Sequence, residues 1–289
     1  MIVQSIGSGP DLALIHGWGL GSAAWAPVVA ALAQCCRVHL IDLPGYGMPA
    51  DRMDKQPAQV HDEEAHKQTL SGHATRRTPF YAASDDTHSF TQTAEALVAK
   101  LPENCILCGW SLGGMLALQA ALLTAQRVRG LILIGSTPSF TQRAGWADAQ
   151  PPALLDTFSD AVSKNAAMTL QRFIALLNQG DAQARALGRA MVQQLLAARL
   201  PDTATLLAGL DWLRDVDLRA QTPSIATPTL LIHGERDPLM PLAAAQWLQD
   251  ALPNARLDVF AATAHAPFLA DPARFATLVG DFCNETAAS

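Results

Sequence analysis

The stretch "NCILCGWSLGGMLALQAALLTA", residues 104–125, constrains this chain more than any other. It opens as an apolar run of strand length and closes as a helical run. Only Gly109, Trp110, Ser111, Leu112 and Gly113 lie between the two. A chain that passes from strand to helix in so few residues must turn sharply. Glycines on both sides of Ser111 keep neighbouring side chains from colliding with that turn. The G-x-S-x-G spacing in this context presents a serine hydroxyl at the end of a buried strand, where a nucleophile would stand.

Comparable short apolar runs recur at 11–17, 37–45, 129–135, 227–234 and 255–261, and helical patterns lie at 24–34, 89–101, 112–126, 242–252 and 272–283. Near-continuous apolar runs fit strands covered on both faces, as in a parallel sheet. The alternation predicts an α/β fold with a mostly parallel central sheet flanked by helices. Two stretches break the rhythm. Residues 48–88 are polar, with few apolar positions, and are expected to form a long, partly disordered excursion. Residues 138–220 read as four helices, "PALLDTFSDAVSK", "AMTLQRFIALLNQG", "DAQARALGRAMVQQLLAARL" and "DTATLLAGLDWLRDVDL". That block looks like a helical cap (138–220) inserted into a core made of 1–137 and 221–289.

The bulk numbers exclude some partners. A net charge of −6 with no long Lys/Arg run argues against nucleic acid and against an anionic membrane surface. The first residues lack a basic head followed by an apolar core, so no secretory signal is expected. No apolar run is long enough to span a bilayer. The expectation is a monomeric, soluble, cytoplasmic protein. Five cysteines that include the vicinal pair Cys35 and Cys36 do not form a disulfide framework. Cys105 and Cys108 fall three apart in a strand, so they point to opposite faces and make a poor metal or redox pair. His61, His66 and His73 lie in the polar excursion and read as loop residues. No metal and no cofactor is expected.

A serine hydroxyl needs a base, and the base needs an orienting acid. In this architecture the acid and then the histidine follow the nucleophile along the chain. Of eight histidines, only His233 and His265 follow Ser111. His233 precedes the obvious acid. His265, in "ATAHAPFLADP", alone completes the order. The candidate acid is Asp237 in "HGERDPLMP"; Glu235 shares that loop but stands nearer the strand end, and Asp211, Asp215 and Asp217 lie on the cap side or at its exit. Backbone N–H groups should stabilise the oxyanion. Leu112 offers one, and Trp18 in "HGWGL" offers the other. His16 is expected to hold that loop, and Asp42 in "DLPGYG" to act as a scaffold residue.

Taken together, "LIHGWG", "DLPGYG", "GWSLGG", "HGERDPLMP" and "AHAPFLADP" resemble the α/β-hydrolase fold superfamily over nearly the whole chain. Trp25, "STPSFTQR", "QRFIALLNQG", "VDLR" and "TAHAPF" add a closer resemblance to carrier-protein methyl ester esterases of biotin synthesis. That resemblance implies a serine esterase whose triad is Ser111, Asp237 and His265. Its substrate would be the methyl ester of a dicarboxylyl chain on an acyl carrier protein. It implies substrate contacts at Trp18, Ser111, Leu112 and His265, and a lining stretch of Phe173, Ile174, Ala175, Leu176 and Leu177. It implies carrier docking by Arg172, Arg185 and Arg189, with Met168 standing where the family has a further arginine. The 48–88 excursion is longer than the family's connection. A general short-chain carboxylesterase, a carbon–carbon bond hydrolase or a ligand-binding receptor would share the fold, which alone does not separate them.

Overall fold

The computed structural model describes residues 1–47, 89–124 and 126–288. The polar excursion expected at 48–88, with His61, His66 and His73, lies outside the described residues. Among the described residues seven strands form one sheet: β1 (Ile2–Gly7), β2 (Asp11–Ile15), β3 (Arg37–Asp42), β4 (Cys105–Trp110), β5 (Val128–Ile134), β6 (Thr229–Gly234) and β7 (Ala255–Phe260). Their order is β1-β3-β2-β4-β5-β6-β7. Only the β1–β3 pair is antiparallel; the pairs from β3 through β7 are parallel. Strands β4 and β6 are buried along their whole length, which explains why each reads as an unbroken apolar run.

Helices α1 (Ala26–Leu32), α2 (Phe90–Val98) and α3 (Leu112–Leu123) connect the first strands. Helix α2 opens with a capping box, in which Ser89 and Gln92 each bond the other's backbone N–H. Helix α3 is apolar all round, with nine buried residues, because it packs against both the sheet and α2. Three helices lie between β5 and β6: α4 (Pro152–Leu177), α5 (Ala184–Ala197) and α6 (Thr203–Asp215). After them come α7 (Leu242–Ala251), the single turn α8 (Pro267–Ala270) and α9 (Pro272–Ala288).

Two features refine the sequence expectation. The first two of the four helices expected in 138–220 are present and meet end to end at Asn165, the range given for α4 running through both. There the backbone leaves the helical region (φ −161°, ψ 92°), and the Asn165 side chain accepts from Met168 N–H, restarting the helix as a cap would. Strand β1 is the second. It is paired on one side only and leaves Val3 and Ile6 exposed, so it carries no apolar run to read. The helices between β5 and β6 share one apolar core with the sheet: Leu155, Leu170, Ile174 and Leu206 pack in the same buried cluster as Leu12, Leu107 and Ile132.

Candidate active site

All the candidate groups follow the carboxyl ends of parallel strands, where an open α/β sheet gathers its loops. Ser111 follows β4, the HGWG loop follows β2, Asp237 follows β6 and His265 follows β7. Ser111 caps α3 at φ 58°, ψ −121°, a left-handed conformation that costs a non-glycine residue about 1–3 kcal/mol. The flanking glycines make the turn possible. A Cβ on Gly113 would stand 2.6 Å from the carbonyl oxygens of both Ile15 and His16.

The strand ends set the histidine and acid loops beside the elbow, while no hydrogen bond joins the Ser111 hydroxyl to His265 Nε2. Ser111 N–H donates to the Ile134 carbonyl at 2.9 Å. The next residue, Gly135, approaches the imidazole and the carboxylate so closely that a Cβ would lie 3.1 Å from His265 Nδ1 and 3.2 Å from Asp237 Oδ2. Trp110, just before Ser111, donates its indole N–H to the His265 carbonyl at 2.9 Å. His265 Nδ1–H donates to Asp237 Oδ2 at 2.7 Å, both side chains fully buried. That bond leaves Nε2 as the unprotonated nitrogen. It is buried and has no hydrogen-bond partner among the described residues. A general base needs that arrangement: one nitrogen oriented by a carboxylate, the other free to take a proton.

Asp237 is itself held firmly. Its Oδ1 accepts the backbone N–H groups of Leu239 and Met240 at 2.9 Å each. Burial pushes its carboxyl up, but the charge and hydrogen bond of His265, the neighbouring His233 and the Met240 N–H together hold it below the ordinary carboxylate range. Gln150 ties the acid loop down by donating its amide to the carbonyls of Pro238 and Leu239. His233 donates Nε2–H to the Met240 carbonyl at 2.7 Å and lies 3.6 Å from Asp237 Oδ2. Glu235 instead accepts from Ala262 N–H and stays half exposed.

His16 holds its loop. Nδ1–H donates to the Gly17 carbonyl at 2.8 Å, while Nε2 accepts from Leu43 N–H at 3.2 Å. Burial lowers its pKa against the opposing pulls of the Gly17 carbonyl and Asp42, so the ring is neutral. Asp42 accepts from Ser22 N–H, and the Tyr46 hydroxyl accepts from Gly19 N–H at 3.0 Å. Trp18 is 2% exposed. Its indole N–H donates to the Leu206 carbonyl of α6 at 2.8 Å, and its ring meets Phe173 and Phe158 edge-on at 4.9 and 6.1 Å. Leu112 is the first residue of α3, so its N–H has no carbonyl one turn back to bond and stands at the positive end of the helix.

The five residues 173–177 do not share one face. Phe173 packs on Trp18; Ile174 and Leu177 are buried in the core; Leu176 is half-buried; Ala175 is exposed. Consecutive helical residues point 100° apart, so a run of five cannot all line one pocket. Arg172, Arg185 and Arg189 are exposed and form no ion pair among the described residues. Contacts absent from the sequence reading come from 138–220. The Leu177 carbonyl accepts His265 N–H at 3.2 Å, Asp181 accepts Ala264 N–H at 3.0 Å, and Leu206 holds Trp18. Only main-chain carbonyls and a turn aspartate are involved, and these leave no motif. No group of three or more His, Cys, Asp or Glu able to hold a metal occurs among the described residues. Nor is any described helix long and apolar enough to cross a membrane.

Fold and site define the class. A sequence profile described as "Alpha/beta hydrolase family" matches residues 12–278, and the chain belongs to that family. The curated relatives narrow the likeness. A pimeloyl-[acyl-carrier protein] methyl ester esterase from Nitrosomonas europaea is 36% identical over 274 residues, covering 94% of this chain and 95% of that protein. One from Vibrio campbellii is 34% identical over 279 residues, covering 96% of each. Among solved structures, an esterase from Exiguobacterium antarcticum superposes with a TM-score of 0.78 at 23% identity, over 98% of this chain and 94% of that one. An enol-lactonase from Burkholderia xenovorans gives 0.73 at 18%, over 98% and 96%. At such identities these two speak for the fold alone.

Proposed function

We propose that this chain is a serine carboxylesterase that hydrolyses the methyl ester of a pimeloyl chain carried on acyl carrier protein, in biotin synthesis, acting as a cytoplasmic monomer. The observation that carries this reading is near-full-length identity of 36% to an esterase of that name, on a chain whose buried Asp237–His265 pair leaves a base nitrogen free.

Ser111 Oγ attacks the ester carbonyl as His265 Nε2 takes its proton. The N–H groups of Trp18 and Leu112 hold the oxyanion, and Asp237 holds the imidazolium. The carbon–oxygen bond to the methoxy group breaks, and His265 returns the proton, so methanol leaves. Water then gives a proton to His265 and adds to the acyl group. Ser111 departs with that proton, and the free carboxylate stays on the carrier. Segment 138–220 acts as the cap over this site, and Phe173 with Phe158 and Trp18 walls the methylene chain. Arg172, Arg185 and Arg189 face the carrier.

The test is rescue of a biotin-requiring bacterial strain that lacks its own pimeloyl methyl esterase. The wild-type chain restores growth, and Ser111→Ala does not, though it folds and accumulates equally. Esterase activity on a short p-nitrophenyl ester without rescue would instead favour a general carboxylesterase.

A further inference from the structure

Gly209 occupies an interior position of α6, where glycine is among the poorest helix formers. A close approach explains it. A Cβ at 209 would stand 2.6 Å from Trp18 Cδ1, 3.0 Å from Trp18 Nε1 and 3.7 Å from Leu112 Cδ2. The indole has nowhere to retreat. It donates to the Leu206 carbonyl one turn earlier in the same helix, and it is braced by Phe173 and Phe158. Gly188 in α5 offers the contrast, since a Cβ there meets no atom within 4 Å.

The residues that Gly209 admits are the two whose N–H groups are assigned to the oxyanion. We propose that Gly209 and the Leu206 carbonyl are positioning elements for the oxyanion loop. Helix α6 fixes the depth of the Trp18 indole, and through it the spacing between the Trp18 and Leu112 N–H groups. This rests on the oxyanion assignment above. The helical segment would then complete the catalytic geometry as well as cover it, even for esters too short to fill an acyl pocket.

The test is the kinetics of p-nitrophenyl acetate hydrolysis, with Tm recorded alongside. Gly209→Ala should lower kcat by about fivefold or more with KM little changed, as expected when stabilisation of the transition state alone is lost. Its Tm should fall by a few degrees, because the clash with the braced indole outweighs the better helix propensity of alanine, so kcat is read well below both midpoints. Gly188→Ala should leave both kinetic constants unchanged. With Trp18→Ala already in place the clash is gone, so Gly209→Ala should then cost less than half the factor it costs in the wild type. Trp18→Phe keeps a ring among the phenylalanines but removes the bond to Leu206. It should show the same fall in kcat at constant KM, and it keeps the idea testable should Gly209→Ala fail to fold. A smaller loss in Gly209→Ala, a comparable loss in the Trp18→Ala background, or an unchanged kcat in Trp18→Phe would each overturn the proposal. Those outcomes are separable from failure of the site itself, which would appear as full activity in Ser111→Ala.

Discussion

At the scale of single residues, the site is built from buried groups whose protonation is settled by their surroundings. His16 and His233 are both buried, and burial lowers both imidazoles below their ordinary range despite Asp42 near one and Asp237 near the other. The unfolded chain protonates these rings near pH 6.5, while the folded chain does so only at lower pH. Below about pH 6.5 the unfolded state therefore binds more protons, and stability falls with pH by up to about 1.4 kcal/mol per unit for each ring. Above about pH 6.5 neither ring affects stability. Asp237 has the opposite timing. Its depressed carboxyl contributes fully above about pH 4, and that contribution is lost only as pH falls further. A decline between pH 6.5 and 4.5 thus belongs to the histidines. Urea unfolding at pH 7.5 and at 5.5 should show it, and His233→Gln, whose amide can still donate to the Met240 carbonyl, should flatten the slope. Identical slopes would mean that His233 is not held neutral.

Elements explain how far the sequence could be read. The strands β4, β5 and β6 and the turn at Ser111 were legible because burial on both faces leaves nearly unbroken apolar runs, while half-buried edge strand β7 was legible from its weaker run before the last helix. Asp237 and His265 were legible through chain order alone. Edge strand β1 was not, because pairing on one side leaves it no buried apolar run, whereas the break at Asn165 was legible as a gap between two helical patterns. Least legible were the grips between elements. The turn joining α4 to α5 holds the histidine loop by three bonds: Leu177 carbonyl to His265 N–H, Asp181 carboxylate to Ala264 N–H, and Ala262 carbonyl to Ala182 N–H. These join positions about eighty residues or more apart, through main-chain atoms except for the Asp181 carboxylate, so no local pattern announces them. They make Asp181 a residue whose loss should be felt at His265. Asp181→Ala should cost on the order of 1–2 kcal/mol, the scale of a hydrogen bond to a half-buried carboxylate. It should also speed amide hydrogen exchange at Ala264 and His265 while leaving the amides of β4 protected. Uniform loss of protection would mean that the turn serves the fold in general rather than this loop.

At the scale of the whole molecule, charge and cargo pull against each other. The chain carries 26 acidic against 20 basic Lys and Arg residues, a net charge of −6, while carrier proteins are usually acidic as well. Their overall fields therefore repel, and productive approach must rely on a local patch of the opposite sign. Several arginines elsewhere are already paired: Arg127 with Glu103, Arg214 with Asp156, Arg219 with Asp217 and Arg274 with Asp258. Arg185 and Arg189 stand four apart on α5 with no acidic partner among the described residues, so their charge is available to a partner. Reversing both to glutamate should lower kcat/KM for the carrier-linked ester by about tenfold or more, while kcat/KM for a free methyl ester stays within about twofold. The wild-type rate on the carrier-linked ester should fall with added salt, because screening beyond about 10 Å removes the steering at 0.1 M ionic strength. The doubly reversed variant should have lost that attractive salt dependence. If instead both substrates lose equally, the two arginines support the helix that carries them, and the carrier approaches by another face.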